Sequence, residues 1–210
     1  KGVVNPIKDQ ASCGSCWAFS AIATSESAYA IKTGKLLQFS EQNLVDCAPC
    51  YGCNGGWSDI ACNFIIDQQN GQFNSEEDYP YTALDGTCSY DSSKAIGKIS
   101  ELHAVEYGDE NDLKDKVAQY GVASVSISAG NTPFMSYTSG ILDDDECGFW
   151  ASIDHAVACV GYGSENGVDY WIVRNSWGTS WGEQGYVRMS RNKNNQCQIA
   201  SQAFVMVDAE

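Results

Sequence analysis

Only two histidines, His103 and His155, occur among the 210 residues. A thiol that needs an imidazole partner must therefore use one of them. No apolar run approaches the roughly 18 residues that a membrane-spanning helix needs, so no membrane association is expected. No Asn-x-Ser/Thr triplet is present, and N-glycosylation is not expected. Basic residues are scarce: 12 Lys and Arg stand against 27 Asp and Glu, a net charge of −15. Phosphates would be repelled, which excludes nucleic acid as a natural partner. No signal-peptide pattern follows Lys1, so any signal or pro-segment is expected to have been removed or to lie outside this sequence. Repeats and low-complexity linkers are also missing.

Cysteine, in contrast, is abundant. Ten of them suit an oxidising compartment, outside the cell or along the secretory and lysosomal route. The acidic surplus loses charge as pH falls, which eases self-repulsion in an acidic lumen. It equally serves to keep a surface soluble. A hydrophobic content of 43% and a length of 210 residues allow one large domain or two small lobes.

The first half reads as helical. Phe19, Ile22, Ala23 and Ala30 recur at helical spacing between Cys16 and Thr33, and Gly34 follows as a stop. Ser40 can cap a short helix through Asp46. Ser58 can cap another through Asn70, closed by Gly71. Residues 111–120 form one more, ended by Gly121. Strand patterns then take over. Ala123, Val125 and Ile127 alternate with serines, and residues 155–160, 170–175 and 186–190 are strand-like. Helices followed by strands predict an α+β protein in two lobes, with a border near Leu102.

Three segments carry chemistry. Cys16 sits in Gln10-Ala11-Ser12-Cys13-Gly14-Ser15-Cys16-Trp17-Ala18-Phe19-Ser20. His155 opens an apolar run, and Asn175-Ser176-Trp177-Gly178 comes twenty residues after it. A cysteine, a histidine and an orienting amide are the parts of a thiol nucleophile system. Cys16 starts the first long helix, where the dipole favours a thiolate. His155 can share its proton and then protonate a leaving amine. His103 has no motif around it and reads as a surface residue. On these three motifs the chain resembles the mature catalytic domain of the papain-like, cathepsin L-like cysteine proteases, from Lys1 to about Ala203.

The resemblance implies a two-lobe α+β fold. A helical lobe spans residues 1–102 and carries the nucleophile. An antiparallel, β-barrel-like lobe spans residues 103–210 and carries His155 and Asn175, with a cleft between the two. It implies a cysteine endopeptidase that needs no cofactor and no metal. Cys16 is the nucleophile, His155 the acid–base and Asn175 the orienter. Gln10 and the Cys16 N–H hold the oxyanion, each worth roughly 3–4 kcal/mol. Gly14, Gly55 and Gly56 line the substrate path. Trp57, Ser58, Ser126, Ile153 and Gln202 wall the pocket for the second residue before the cut bond, the P2 residue. That wall is more polar than the family's usual apolar one. Asp154 borders it. Trp177 covers the His–Asn pair, and Trp181 shapes the side beyond the cut.

Bridges transfer as Cys13–Cys53, Cys47–Cys88 and Cys147–Cys197. Implied partners are protein and peptide substrates, a pro-segment, and cystatin-like or epoxide and vinyl-type inhibitors, with a monomeric chain secreted or held in acidic vesicles.

Other readings stand beside this one. Cys13-Gly14-Ser15-Cys16 spells a C-x-x-C motif, so a thiol–disulfide oxidoreductase is the alternative. Against it, no βαβ unit precedes residue 13. Cys47, Cys50 and Cys53 have zinc-ligand spacing but no matching second pair. An inactive homologue kept for binding is a further reading. Cys159 reads as a buried, inert thiol. Nothing in the sequence decides whether Cys50 pairs with Cys62. The run Asp143-Asp144-Asp145-Glu146 reads as a solvated loop, with cation binding as its second reading. Gln198 stands where the family commonly has glycine.

Overall fold

The computed structural model describes residues 2–147 and 152–209. They form two compact units. One comprises residues 2–6, 10–103 and 206–209, and the other residues 7–9, 104–147 and 152–205.

The first unit is built around α1 (Cys16–Thr33), α2 (Glu41–Cys47) and α3 (Ser58–Gln68). Thirteen of the eighteen α1 residues are buried, so α1 is a core helix and not a surface helix with one apolar stripe. Gly34 ends it in the left-handed conformation, with its N–H on the Ala30 carbonyl. Ser40 caps α2 by accepting the Asn43 N–H at 2.9 Å.

α3 departs from its expected start and end. Trp57, not Ser58, occupies the cap position. Ser58 is the first helical residue, and its buried hydroxyl donates to the Trp17 carbonyl at 2.8 Å. A buried hydroxyl must find a partner, and a neighbouring backbone supplied one before the cap did. The far end stops at Gln68 because Asn70 and Gly71 both take positive φ. Phe39 and Phe73 stack at 4.5 Å in this core, among Ile22, Leu44, Ile65 and Ile99. The Cys13–Cys53 and Cys47–Cys88 bridges both lie here.

The remaining elements are β1 (Ile99–Ala104), α4 (Glu110–Tyr120), β2 (Ala123–Ile127), α5 (Thr132–Met135), β3 (Ile141–Leu142), β4 (His155–Glu165), β5 (Val168–Arg174), β6 (Tyr186–Ser190) and β7 (Ala203–Ala209). Most of β1 and the last residues of β7 belong to the first unit. In the second unit the strand order is β7-β2-β4-β5-β6-β3. The pairings β2–β7, β2–β4, β4–β5 and β5–β6 are antiparallel, and β3 runs parallel to β6.

The sheet is open, with β1 and β3 as its ends. This corrects the barrel-like expectation. Closure needs strands of matched length and stagger, and β3 is only two residues long.

Asp109 caps α4 by accepting the N–H groups of Asn111 and Asp112. The helix therefore begins at Glu110, one residue before the expected 111. Every residue of β2 is buried, including Ser124 and Ser126. The alternation suggested one wet face. In the fold β2 lies between β4 and β7, and α4 packs against it.

The Cys147–Cys197 bridge lies in this unit. Beside it Asn192, Asn194, Asn195, Cys197 and Gln198 all take positive φ. Asparagine tolerates that region, whereas glutamine does so rarely. Gln198, at φ 60°, thus stands where a glycine would be unstrained.

Candidate active site

The candidate residues fall into two groups, one in each unit. In the first unit Cys16 is the first residue of α1, half-buried, at the positive end of the helix dipole. The first turn of α1 carries no acidic residue to oppose a thiolate. The approach to Cys16 is tightly held. Gly14 donates to the Cys53 carbonyl at 2.8 Å, and a Cβ on Gly14 would lie 2.6 Å from that oxygen. Only glycine fits there. Ser15 Oγ lies 2.6 Å from the Tyr81 hydroxyl, which donates to the Gln10 carbonyl at 2.8 Å. The Gln10 side-chain amide is buried and donates to the Cys13 carbonyl at 3.0 Å, which fixes its direction.

Gly55 and Gly56 follow in the same unit. The Gly55 carbonyl accepts from the Tyr51 N–H, and its own N–H reaches the Gly52 carbonyl. Gly56 lies on the Trp17 ring: a Cβ there would come within 2.7 Å of it. Its N–H and carbonyl make no hydrogen bond among the described residues. Trp57 is 45% exposed, while Ser58 is buried with its hydroxyl on Trp17. The Ser58 hydroxyl is therefore committed to the Trp17 carbonyl.

In the second unit β4 begins at His155, and Asn175 follows the end of β5. His155 is buried, with Nε2 2.8 Å from Asn175 Oδ1. Trp177 stacks on the imidazole at 4.8 Å, and Trp181 meets the Trp177 ring edge-on. Asp9 bridges the Trp177 backbone. Burial pushes the His155 pKa below its ordinary value, opposed by the Asn175 hydrogen bond and the Asp154 charge. The Asp154 carboxylate itself accepts the N–H groups of Ala129 and Gly130. Ser126 donates its backbone N–H to the Gln202 carbonyl, and Ile153 and Gln202 are both half-buried.

Sequence reasoning passed over Phe134. It is fully buried in α5, edge-on to His155 and Trp177. The signal was there in Asn131, which caps α5, and Pro133 in its first turn.

The Cys16 segment, the His155–Asn175 pair and the stacked Trp177 coincide with a family match. The papain family of cysteine proteases matches residues 1–207. The chain belongs to that family. It is 47% identical over 206 residues to a cathepsin L-like peptidase of Aedes aegypti, covering 96% of this chain and 60% of the relative. Its fold matches digestive procathepsin L2 of Tenebrio molitor larval midgut, with a TM-score of 0.93 and 44% identity over 99% of this chain and 65% of that one. It also matches bromelain of Ananas comosus in complex with the E64 inhibitor, with a TM-score of 0.89 and 41% identity over 98% and 94%. The chain spans about three fifths of the length of the first curated relatives it matches.

The competing readings meet the bridge pattern. Cys13 is joined to Cys53 and not to Cys16, so the C-x-x-C pair is not a dithiol and nothing supports the oxidoreductase. Cys47 and Cys53 are both bridged, which removes the zinc ligands. Cys50 and Cys62 form no disulfide, and neither do Cys16 and Cys159. In the acidic run Asp143 pairs with Lys193 and accepts from Gln196. Asp144 is buried, which corrects the solvated reading at that residue. The Glu146 side chain lies outside the described residues. His103 is exposed and paired with Glu101.

Proposed function

We propose that the chain is a cysteine endopeptidase. Cys16 attacks the scissile carbonyl as a thiolate. The Gln10 amide and the Cys16 N–H hold the oxyanion that forms. His155 protonates the leaving amine, and a thioester on Cys16 remains. Water, deprotonated by His155, then releases the acid and restores the thiol. The observation that carries this reading is the built His155–Asn175 pair under Trp177, in a chain whose Cys16 opens a core helix. An inactive homologue would have no need of that pair.

Substrate is proposed to lie extended along Gly56, pairing strand-like with its N–H and carbonyl. Such pairing ignores side chains and suits peptide and protein substrates broadly. Trp57, Ile153, Ser126 and Gln202 are assigned to the P2 pocket, with Asp154 at its border. Trp181 is assigned to the side beyond the cut. Further proposed partners are a pro-segment, cystatin-like inhibitors, and epoxide or vinyl-type inhibitors. Their support is that similar structures include a procathepsin and an E64 complex. We place the chain, as a monomer, outside the cell or in an acidic vesicle. The ten cysteines and three bridges support an oxidising route.

Cys16→Ala should abolish peptide hydrolysis and His103→Ala should not. Retained hydrolysis in the first, or its loss in the second, would sink the assignment.

A further inference from the structure

We propose that Asp85 is a positioning residue for substrate binding, whose carboxylate holds the turn that presents Gly55 and Gly56. This rests on the endopeptidase reading above. Asp85 lies between Gly86 and Leu84 on a loop tied down at its end by the Cys47–Cys88 bridge. Asp46 steadies the loop, accepting the Gly86 N–H at 2.8 Å. Asp85 Oδ1 accepts the Cys53 N–H at 2.6 Å. That approach exists because residue 52 is glycine. Gly52 has φ 56°, and a Cβ there would run into Asp85 Oδ1.

Cys53 is thereby fixed through three groups. Asp85 takes its N–H, Gly14 donates to its carbonyl, and Cys13 bridges its sulfur. The Gly52 carbonyl accepts the Trp17 indole N–H at 3.1 Å, and Gly56 rests on the Trp17 ring. Without the carboxylate one corner of the turn is released. The bridge and Trp17 still hold the start of α1. Binding of an extended chain should therefore suffer, while the Cys16 thiol keeps its setting. An amide oxygen can replace the carboxylate as acceptor.

The test uses Asp85→Ala, Asp85→Asn and the parent protein. Kinetics on a blocked extended peptide are read beside the iodoacetamide alkylation rate of Cys16 and the thermal midpoint. Asp85→Ala should raise KM roughly tenfold, with kcat and alkylation within about twofold. Asp85→Asn should recover most of that KM. Were Asp85→Ala not to fold, Asp85→Glu, which keeps the charge but displaces the oxygen, should show the same rise in KM. An unchanged KM, a parallel loss of kcat and alkylation, or an Asn variant as impaired as the alanine one would overturn the proposal. Hydrolysis of the same peptide by Cys16→Ala would instead overturn the endopeptidase reading, whatever the Asp85 variants did.

Discussion

Asn175 Oδ1 lies 2.8 Å from His155 Nε2 and also accepts the Ser176 N–H at 2.8 Å. The second bond marks the atom facing the ring as an acceptor. Neutral His155 therefore carries its proton on Nε2, and Nδ1 is the nitrogen that takes up and returns a proton. Trp177 covers the ring and keeps this pair dry.

Removing the amide should disturb both orientation and proton affinity. Asn175→Ala is expected to lower kcat/KM about a hundredfold with the fold intact. The His155 pKa should drop further, because the lost bond is the largest influence raising it. A variant with parent kcat/KM would show that Asn175 orients nothing.

The proposed role of His155 as proton donor to the leaving amine predicts a contrast in its titration. Burial alone holds its pKa below the ordinary 6.5. A depressed histidine pKa means that the unfolded chain binds the proton more readily. The resulting stability is full above pH 6.5 and fades as pH falls below it. In Cys16→Ala, where no thiolate can counter burial, the ring should titrate below 6.5 by NMR. A midpoint above 6.5 in that variant would contradict the dominance of burial.

Thiol reactivity should be selective. Burial pushes Cys62 and Cys159 up to about 12 and raises Cys50 as well. Only thiolates react, so at pH 7 one equivalent of iodoacetamide should modify Cys16 first. Peptide mapping that found Cys62 or Cys159 labelled in the folded protein would refute this.

Acid stability should depend on Glu183. Its carboxylate accepts Nε and Nη2 of Arg188 and the Gly140 N–H. The Arg188 bonds, foremost, hold its pKa below the ordinary 4.5. Its contribution is thus present above pH 4.5 and is lost as pH falls through the lowered value. Glu183→Gln should cost about 1–2 kcal/mol at pH 7 and much less in strong acid. Denaturant midpoints at neutral and strongly acid pH measure both. Equal losses at the two would rule the linkage out.

Selectivity at P2 should turn on Gln202. Ser58 directs its hydroxyl to Trp17, which leaves Ser126 and Gln202 as the polar side chains of the assigned pocket. Leu or Val at P2 should be good, with Arg retained within about tenfold. Gln202→Leu should lower the Arg-to-Leu ratio. An unchanged ratio would take Gln202 out of the pocket.

The legible features were those written in short stretches of chain. Ser40, Gly34 and Gly121 mark helix ends because capping is a matter of a few neighbouring residues. The motifs around Cys16, His155 and Asn175 are equally local, and they carried the family and the bridges with them. β1 and β7 escaped notice because their pairing joins segments about a hundred residues apart, and β1 shows no clean alternation. Ser58 misled because a cap residue and a first-turn residue bonded to another helix look alike in sequence. Asp85 carried no signal, since its meaning lies in the Cys53 N–H across a separation of 32 residues.

The sequence by itself determined the family and the helical first half, and it singled out the proposed thiol and histidine, because each reading follows from residue type and near neighbours. Tertiary structure alone decided that the sheet stays open, that β2 is wet on neither face, that Cys50 and Cys62 stay unpaired, which ring nitrogen of His155 faces Asn175 Oδ1, and which N–H Asp85 accepts. These are contacts between distant segments, and burial forces each polar group there to take the partner that the packing provides.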